Sequence, residues 1–478
     1  MENNKLQRYY GSWKILDSND LFQGVLNINS AEGFAYLELV IPASYSNPLP
    51  NPPYRGSIPF ICGTLITGEK ICLYKCETGA EYLRIPHYNT QLIYAEYLFR
   101  GLEVSTEAEI KFHRVRFDFG NILSWADLCH YELDLNKGPG FAVSWIPSAS
   151  LTFNLDNNTK IAFIPSYNEI SIKEFEKENS LTQRLWVQFE YTELTNLDVI
   201  LEDAKRIMYL IGLGINNKVE IEDLEYSHSS ITERYFDDKG NLKIVSPFLP
   251  MFMRSNSNTI TQCDLPHTFV FRLKDVDEGI FRSWNENYSK LEPILDLYFY
   301  SFSKIPISPV ALFLNLIRAL EAYHTRFITN DIRNFKKRIK KLIDKLRTQE
   351  DKPSCWKRVF GDIEQQPGSS IYLRFRLVDL FFAEGDIPCQ PSKYEITDYI
   401  SKIVNSRNYY THYDEHKLDN AFSPEELPLI NAHLRALLEY HILTLIGFDR
   451  DIETNRVREI IKKVDEKHYK ENNLNKNF

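Results

Sequence analysis

The spacing of apolar residues changes once along this chain, near residue 276, and that change limits what the chain can fold into. Before it, apolar and β-branched residues come in short runs, "LFQGVLNI", "FAYLELVIP", "IPFICGTLI" and "KICLYKC". In "IKFHRVRFDF" every second residue is apolar, the period that puts alternate side chains on one face of a strand. Clusters of Gly, Pro and Asn such as "SNPLPNPPYRGS" separate the runs, as turns require. Residues 1–165 are therefore expected to form a β-rich, sandwich- or barrel-like domain. Residues 166–275 mix the two periods and read as a smaller α/β extension. There "RLWVQFEYTEL" and "NKVEIEDLEY" are expected strands, and "NLDVILEDAKRIMYLIGLG" a helix ended by Gly212 or Gly214. "YFDDKGNLKIVSPFLP" reads as a loop.

After residue 276 the spacing is helical and stays so. Leu312, Leu316, Leu320, Tyr323 and Phe327 recur at intervals of three and four, a stripe that one face of a helix buries. Ser423 and Glu426 have capping-box spacing before the last strongly apolar helix. Pro424 suits a first helical position, and Pro428 then falls late in that turn. Residues 276–450 are expected to form an antiparallel helical bundle and 451–478 a C-terminal helical tail, with "KKVDEKHYKENNLNKNF" as its fraying end. The fold class is α+β, a β-rich N-terminal region followed by an all-α bundle.

At 478 residues the chain exceeds one ordinary core. Its net charge of −9 argues against a nucleic-acid coat over the whole surface but leaves room for a local basic groove. The start "MENNKLQRYYGSWK" has no apolar core of a signal peptide, and no run of about 18 apolar residues marks a membrane span. The seven cysteines are odd in number and scattered, which fits a reducing cytoplasm. Cys72 and Cys76 have near-ligand spacing, but no second pair completes a zinc site. Neither a metal nor a cofactor is expected.

The stretch "SKIVNSRNYYTHYDEH" crowds Arg407, Asn408, Tyr409, Tyr410 and His412 together. An Arg followed at this distance by a His is uninformative by itself. Arg318 with His324 and Arg435 with His441 repeat it within long leucine-rich helices, where the histidines are expected at a stripe edge or in solvent. Arg407 differs because it continues the apolar stripe of Ile396, Ile400 and Ile403. A guanidinium on an apolar face needs an anion. That anion could be Asp414 or Glu415, with His412 merely solvated, or it could be a substrate phosphate. Five residues of straight helix set two side chains about 140° apart. Arg407 and His412 therefore converge only if the helix unwinds between them, or if a second copy faces the first.

"RNYYTH" resembles the Arg-Asn-x-x-x-His motif of HEPN domains, a family of helical-bundle ribonucleases. With "GSWKIL", "GTLITGEKICLYKC" and "FDFGNILSW" near the start, most of the chain is similar to ApeA-like antiphage proteins, which carry a C-terminal HEPN domain. The resemblance implies a metal-independent endoribonuclease acting in abortive infection, with Arg407 and His412 catalytic at the cleft of a homodimer. It also implies supporting roles for Asn408 and for Glu321 in "RALEAYH", the latter as a partner of Arg407. His324, three residues on, is a weaker candidate. RNA supplies its own nucleophile, the 2′-hydroxyl, so such a site needs a proton carrier and a phosphate clamp. Tyr409 and Tyr410 are candidates for base stacking. "RNFKKRIKKLIDKLR" has eight basic residues and one acid between 333 and 347. It is either a solvated face or a phosphate track using Lys336, Lys337, Lys340 and Lys341. The expected partners are RNA, a second copy of the chain and a phage-derived trigger sensed by the N-terminal region, with no membrane. The rival expectation is a catalytically inactive HEPN module whose function lies in the N-terminal domain.

Overall fold

The computed structural model describes residues 6–15, 21–29, 32–42, 57–84, 88–120, 122–135, 142–167, 182–236, 240–254, 269–303, 306–347, 370–382, 388–392, 394–413 and 415–475. They divide into two compact units, Met1–Asp275 and Val276–Phe478.

In the first unit β1 (Gln7–Lys14), β2 (Leu21–Asn29), β3 (Phe34–Pro42), β4 (Ser57–Leu65), β5 (Lys70–Arg84) and β6 (Tyr88–Arg100) pair antiparallel in the order β6-β3-β2-β1-β4-β5. A further β5–β6 pairing closes these six strands into a barrel, so none of them presents a free edge. Leu26, Leu37, Leu39, Ile61, Leu73 and Ile93 fill its interior. Trp13 lies directly opposite Gly63 across β1 and β4. A Cβ on Gly63 would come within 2.3 Å of the indole, so the ring fits only because that position has no side chain.

β6 carries the sheet onward. β7 (Lys111–Phe119), β10 (Leu151–Asn154), β11 (Thr159–Tyr167), β12 (Gln183–Asn196), β13 (Ile221–Ser227) and β16 (Leu249–Met253) extend it in the order β6-β16-β13-β7-β12-β11-β10. The hairpins β8 (Cys129–Asp134) with β9 (Ala142–Pro147), and β14 (Glu233–Phe236) with β15 (Leu242–Val245), stand apart from it. The short helix α1 (Leu123–Ala126) buries Trp125, and α2 (Leu197–Ile215) packs on β7 and β12.

In residues 166–275, β12, β13 and β16 are interleaved with β7 and β6 in one sheet. Two expectations change here. The expected loop at 235–250 overlaps the hairpin β14–β15, with Gly240 at a positive φ of 79°. Helix α2 runs through Gly212 and Gly214 and ends instead at Asn216, which takes the left-handed conformation. Gly214 serves packing: a Cβ there would lie 2.4 Å from Trp125 Nε1.

The second unit is helical: α3 (Glu278–Phe299), α4 (Pro309–Tyr323), α5 (Ile332–Arg347), α6 (Leu373–Phe382), α7 (Ile396–His412), α8 (Leu427–Ile446) and α9 (Arg450–Asn475). Asp277 caps α3 by accepting from the Ile280 N–H at 2.8 Å. Ser423 N–H donates to Glu426 at 2.9 Å, half of the expected capping box, and α8 starts after it with Pro428 in its first turn. The expected helical tail is α9, and its first turns are anchored. Val457 and Ile461 are buried, and Arg456 lies 3.2 Å from Glu439 and 2.6 Å from Glu453. Asp465 accepts from the Ser392 N–H at 2.9 Å. Among the described residues no helix is long and apolar enough to cross a membrane.

One carboxyl in the first unit makes stability depend on pH. Burial pushes Asp118 up to about 7, against the pull of Arg184 at 2.9 Å and with Glu222 and Asp223 adding to the rise. The folded state therefore holds this proton more tightly than the unfolded chain, whose aspartates titrate near ~3.9. The contribution is full below about pH 4 and is lost as pH rises through about 7. Asp118→Asn should flatten the fall in the denaturant midpoint between pH 5 and 8 relative to wild type. An equally steep fall in the variant would refute this.

Candidate active site

Helix α7 places the Arg407–His412 stretch. Its buried stripe comprises Ile396, Tyr399, Ile400, Ile403, Ser406 and Tyr410. The last two turns are held by the backbone of one residue of the following segment, Phe422. Ser406 Oγ accepts from the Phe422 N–H at 2.8 Å, and the Tyr410 hydroxyl donates to the Phe422 carbonyl at 2.7 Å. The helix is continuous from Ile396 to His412 and stops at Tyr413, which has a left-handed φ of 52°. No unwinding separates Arg407 from His412. By helical geometry the two side chains project about 140° apart.

Their surroundings differ accordingly. Arg407 is half-buried, on the side of α7 that packs, and His412 is exposed. The guanidinium donates from Nη1 to Asn408 Oδ1 at 3.2 Å, so the neighbouring amide orients it. Among the described residues Arg407 makes no ion pair. Asp414 and the side chain of Glu415 lie outside them. Tyr410 is committed to the interior, edge-on to Phe313 at 6.4 Å, whereas Tyr409 is half-buried against Tyr410 and Tyr413. A half-buried cation with no carboxylate partner among the described residues can bind an anion, and an exposed imidazole on another side of the same helix end can move a proton.

A family model described as ApeA N-terminal domain 1 matches residues 8–285, and one described as Apea-like HEPN matches 314–452. The chain belongs to the ApeA family. No curated protein and no solved structure gives a match. The HEPN match contains α7 and all of the motif, and it places the chain in an antiphage HEPN nuclease family.

Elsewhere in this ApeA-like HEPN domain the expected residues separate. Glu321 lies eight residues after Phe313 on α4, about 12 Å further along the helix. Its electrostatic neighbour is Arg376: burial lowers that guanidinium, and the Glu321 carboxylate offsets part of the fall. No ion pair joins Glu321 to Arg407. Both histidines of the other Arg–His pairs are buried, not solvated. His441 Nε2 lies 3.0 Å from the Leu380 carbonyl, and burial pushes this imidazole down to about 4. Lys337, Lys340 and Lys341 are exposed on α5, and Lys336 is half-buried.

Sequence reasoning missed the most buried polar cluster of this unit. After Tyr323 the helix widens into a π-turn, His324–Ile328, a distortion frequent at functional sites. His324 is fully buried, with Nε2 at 3.1 Å from Asp379 and Nδ1 at 3.0 Å from Arg376 Nη1. A guanidinium only donates, so Nδ1 must accept and the ring proton sits on Nε2, directed at Asp379. Arg338 of α5 donates through Nε to both oxygens of Asp379 at 3.0 Å. Arg376 also binds Thr325 Oγ1 and Asn330 Oδ1, each at 2.9 Å. The cluster fixes the basic helix α5 to α6 and to the end of α4. The signal was present in "LRFRLVDLFF", where Arg376 and Asp379 interrupt an apolar helix at a spacing of three. Among the described residues no group of three or more His, Cys, Asp or Glu side chains is placed to hold a metal ion.

Asp379→Ala would leave Arg338 and His324 without their shared acceptor. It should cost this unit about 3–5 kcal/mol, read as a lowered denaturant midpoint, whereas Glu321→Gln should shift it by less than about 0.5 kcal/mol. Equal effects of the two would contradict this assignment.

Proposed function

We propose that this chain is an endoribonuclease whose catalytic cleft is completed by a second copy of itself, acting in the cytoplasm in abortive antiphage defence. The observation that carries this reading is the unbroken α7. It sets Arg407 half-buried with no ion pair among the described residues and His412 exposed on another side, so one chain does not aim both at one phosphate. A two-fold interface brings two copies of one element face to face and supplies the missing partner.

In this scheme His412 takes the proton of the ribose 2′-hydroxyl, whose oxygen attacks the adjacent phosphorus. Arg407, held by Asn408, binds the phosphate oxygens as negative charge accumulates on them. The 5′-oxygen leaves with a proton from the second imidazole of the cleft. The products are a 2′,3′-cyclic phosphate and a 5′-hydroxyl. Tyr409, the more accessible of the two tyrosines, is positioned for a base. The lysines of α5 add sequence-independent attraction for the RNA backbone, and the N-terminal unit senses the phage-derived trigger.

Arg407→Ala and His412→Ala should each lower RNA cleavage by about 10²–10³-fold with unchanged circular dichroism. Co-expressing the two variants should restore part of the activity, because a mixed dimer regains one Arg and one His in a shared cleft. Cleavage at wild-type rate by both single variants would refute catalysis by this pair. It would favour an inactive HEPN module with the function in the N-terminal unit. Loss in both without restoration in the mixture would refute the shared cleft.

A further inference from the structure

Three described cysteines fall on adjacent strands of the barrel, and the register separates them by role. Cys62 on β4 lies directly opposite Cys72 on β5. Residues so paired have Cα atoms about 4.5–5.5 Å apart, inside the range a disulfide spans. Cys62 Sγ donates to the Val104 carbonyl at 3.5 Å and Cys72 Sγ to the Leu73 carbonyl at 3.9 Å. Cys76 belongs to the barrel interior, whereas Cys72 has Tyr226 of β13 for an electrostatic neighbour. Cys76 is therefore not the partner its nearness in sequence suggests.

Access and acidity divide the pair further. Cys62 is partly exposed and Cys72 fully buried. The neighbouring Cys72 thiol holds the Cys62 thiol below the usual thiol range despite partial burial, and the same neighbourhood together with burial keeps Cys72 well above it. A lowered thiol with partial access to solvent is the nucleophilic member of such a pair, and a buried thiol opposite it can resolve the product.

We propose that Cys62 and Cys72 are a redox modification site that closes into a reversible cross-strand disulfide when the protein meets a peroxide. The Cys62 thiolate attacks one peroxide oxygen and the O–O bond breaks. Cys62 becomes a sulfenic acid and the departing hydroxide takes a proton to form water. The Cys72 sulfur then gives up its proton and attacks the Cys62 sulfur, displacing the hydroxyl as a second water. Two thiols and one peroxide yield one disulfide and two waters, and a dithiol reverses the change.

The test uses the reduced full-length protein treated with hydrogen peroxide, alkylated in denaturant and mapped by peptide mass spectrometry. A peptide cross-linked through Cys62 and Cys72 should appear, and dithiothreitol should remove it. In Cys62→Ser no cross-link should form and Cys72 should remain open to alkylation. In Cys72→Ala a sulfenic acid should persist at Cys62 and react with dimedone. The proposal is overturned if wild-type Cys62 passes to sulfinic acid without cross-linking, or links to another cysteine. It also fails if Cys72 stays fully alkylatable after oxidation, or if Cys72→Ala shows no dimedone adduct.

Discussion

An α-helix turns 100° per residue, and everything proposed for the HEPN domain depends on α7 obeying that rule without interruption. Had the helix unwound after Arg407, one chain could have aimed both its cation and its imidazole at one phosphate. It does not unwind, and its last two turns are fastened at two points to the backbone of a single residue. The Ser406 hydroxyl takes the N–H of Phe422 and the Tyr410 hydroxyl gives to its carbonyl. The same contacts that rigidify the helix end keep Arg407 and His412 apart. A motif-bearing helix that is rigid and divergent suits the proposed site assembled from two copies, since a rigid element presents the same geometry each time they meet.

The buried cluster around Asp379 plays a different part. Desolvating a carboxylate, an imidazole and a guanidinium is costly unless every donor finds an acceptor. Here His324, Arg338, Arg376, Thr325 and Asn330 share the hydrogen bonds between them. The arrangement also selects one tautomer of His324, because the arginine can only donate to Nδ1. Its structural effect is to tie α5, the most basic helix of a chain with net charge −9, to the core of the bundle. The exposed lysines of α5 are thereby held at a definite place.

How far the sequence could be read depended on whether a residue's role was local. The β-rich start, the helical end and the Ser423–Glu426 contact before α8 were legible, since periodicity and caps act over a few residues. The end of α2 was not. Gly212 and Gly214 looked like stops, but Gly214 instead lets the helix approach Trp125, nearly ninety residues earlier. His324 and His441 looked like edge or surface residues and are core residues, their acceptors being Asp379 and Leu380. The same blindness hid the pairing of Cys62 with Cys72, because cross-strand register depends on where two strands meet. Trp13 and Gly63, each within a recognisable stretch, showed no sign of facing one another.

By itself the sequence determined the two-part architecture, the family resemblance and the identity of the Arg407–His412 stretch. These follow from composition, period and short motifs, which the chain carries wherever it folds. Only the tertiary structure decided which side chains share a hydrogen bond and which are kept apart. It closed six strands into a barrel, gathered residues from α4, α5 and α6 around Asp379, and carried α7 unbroken past its motif. The physical reason is that hydrogen bonding and close packing act over a few ångströms of space, while the residues they join are separated by tens of positions along the chain.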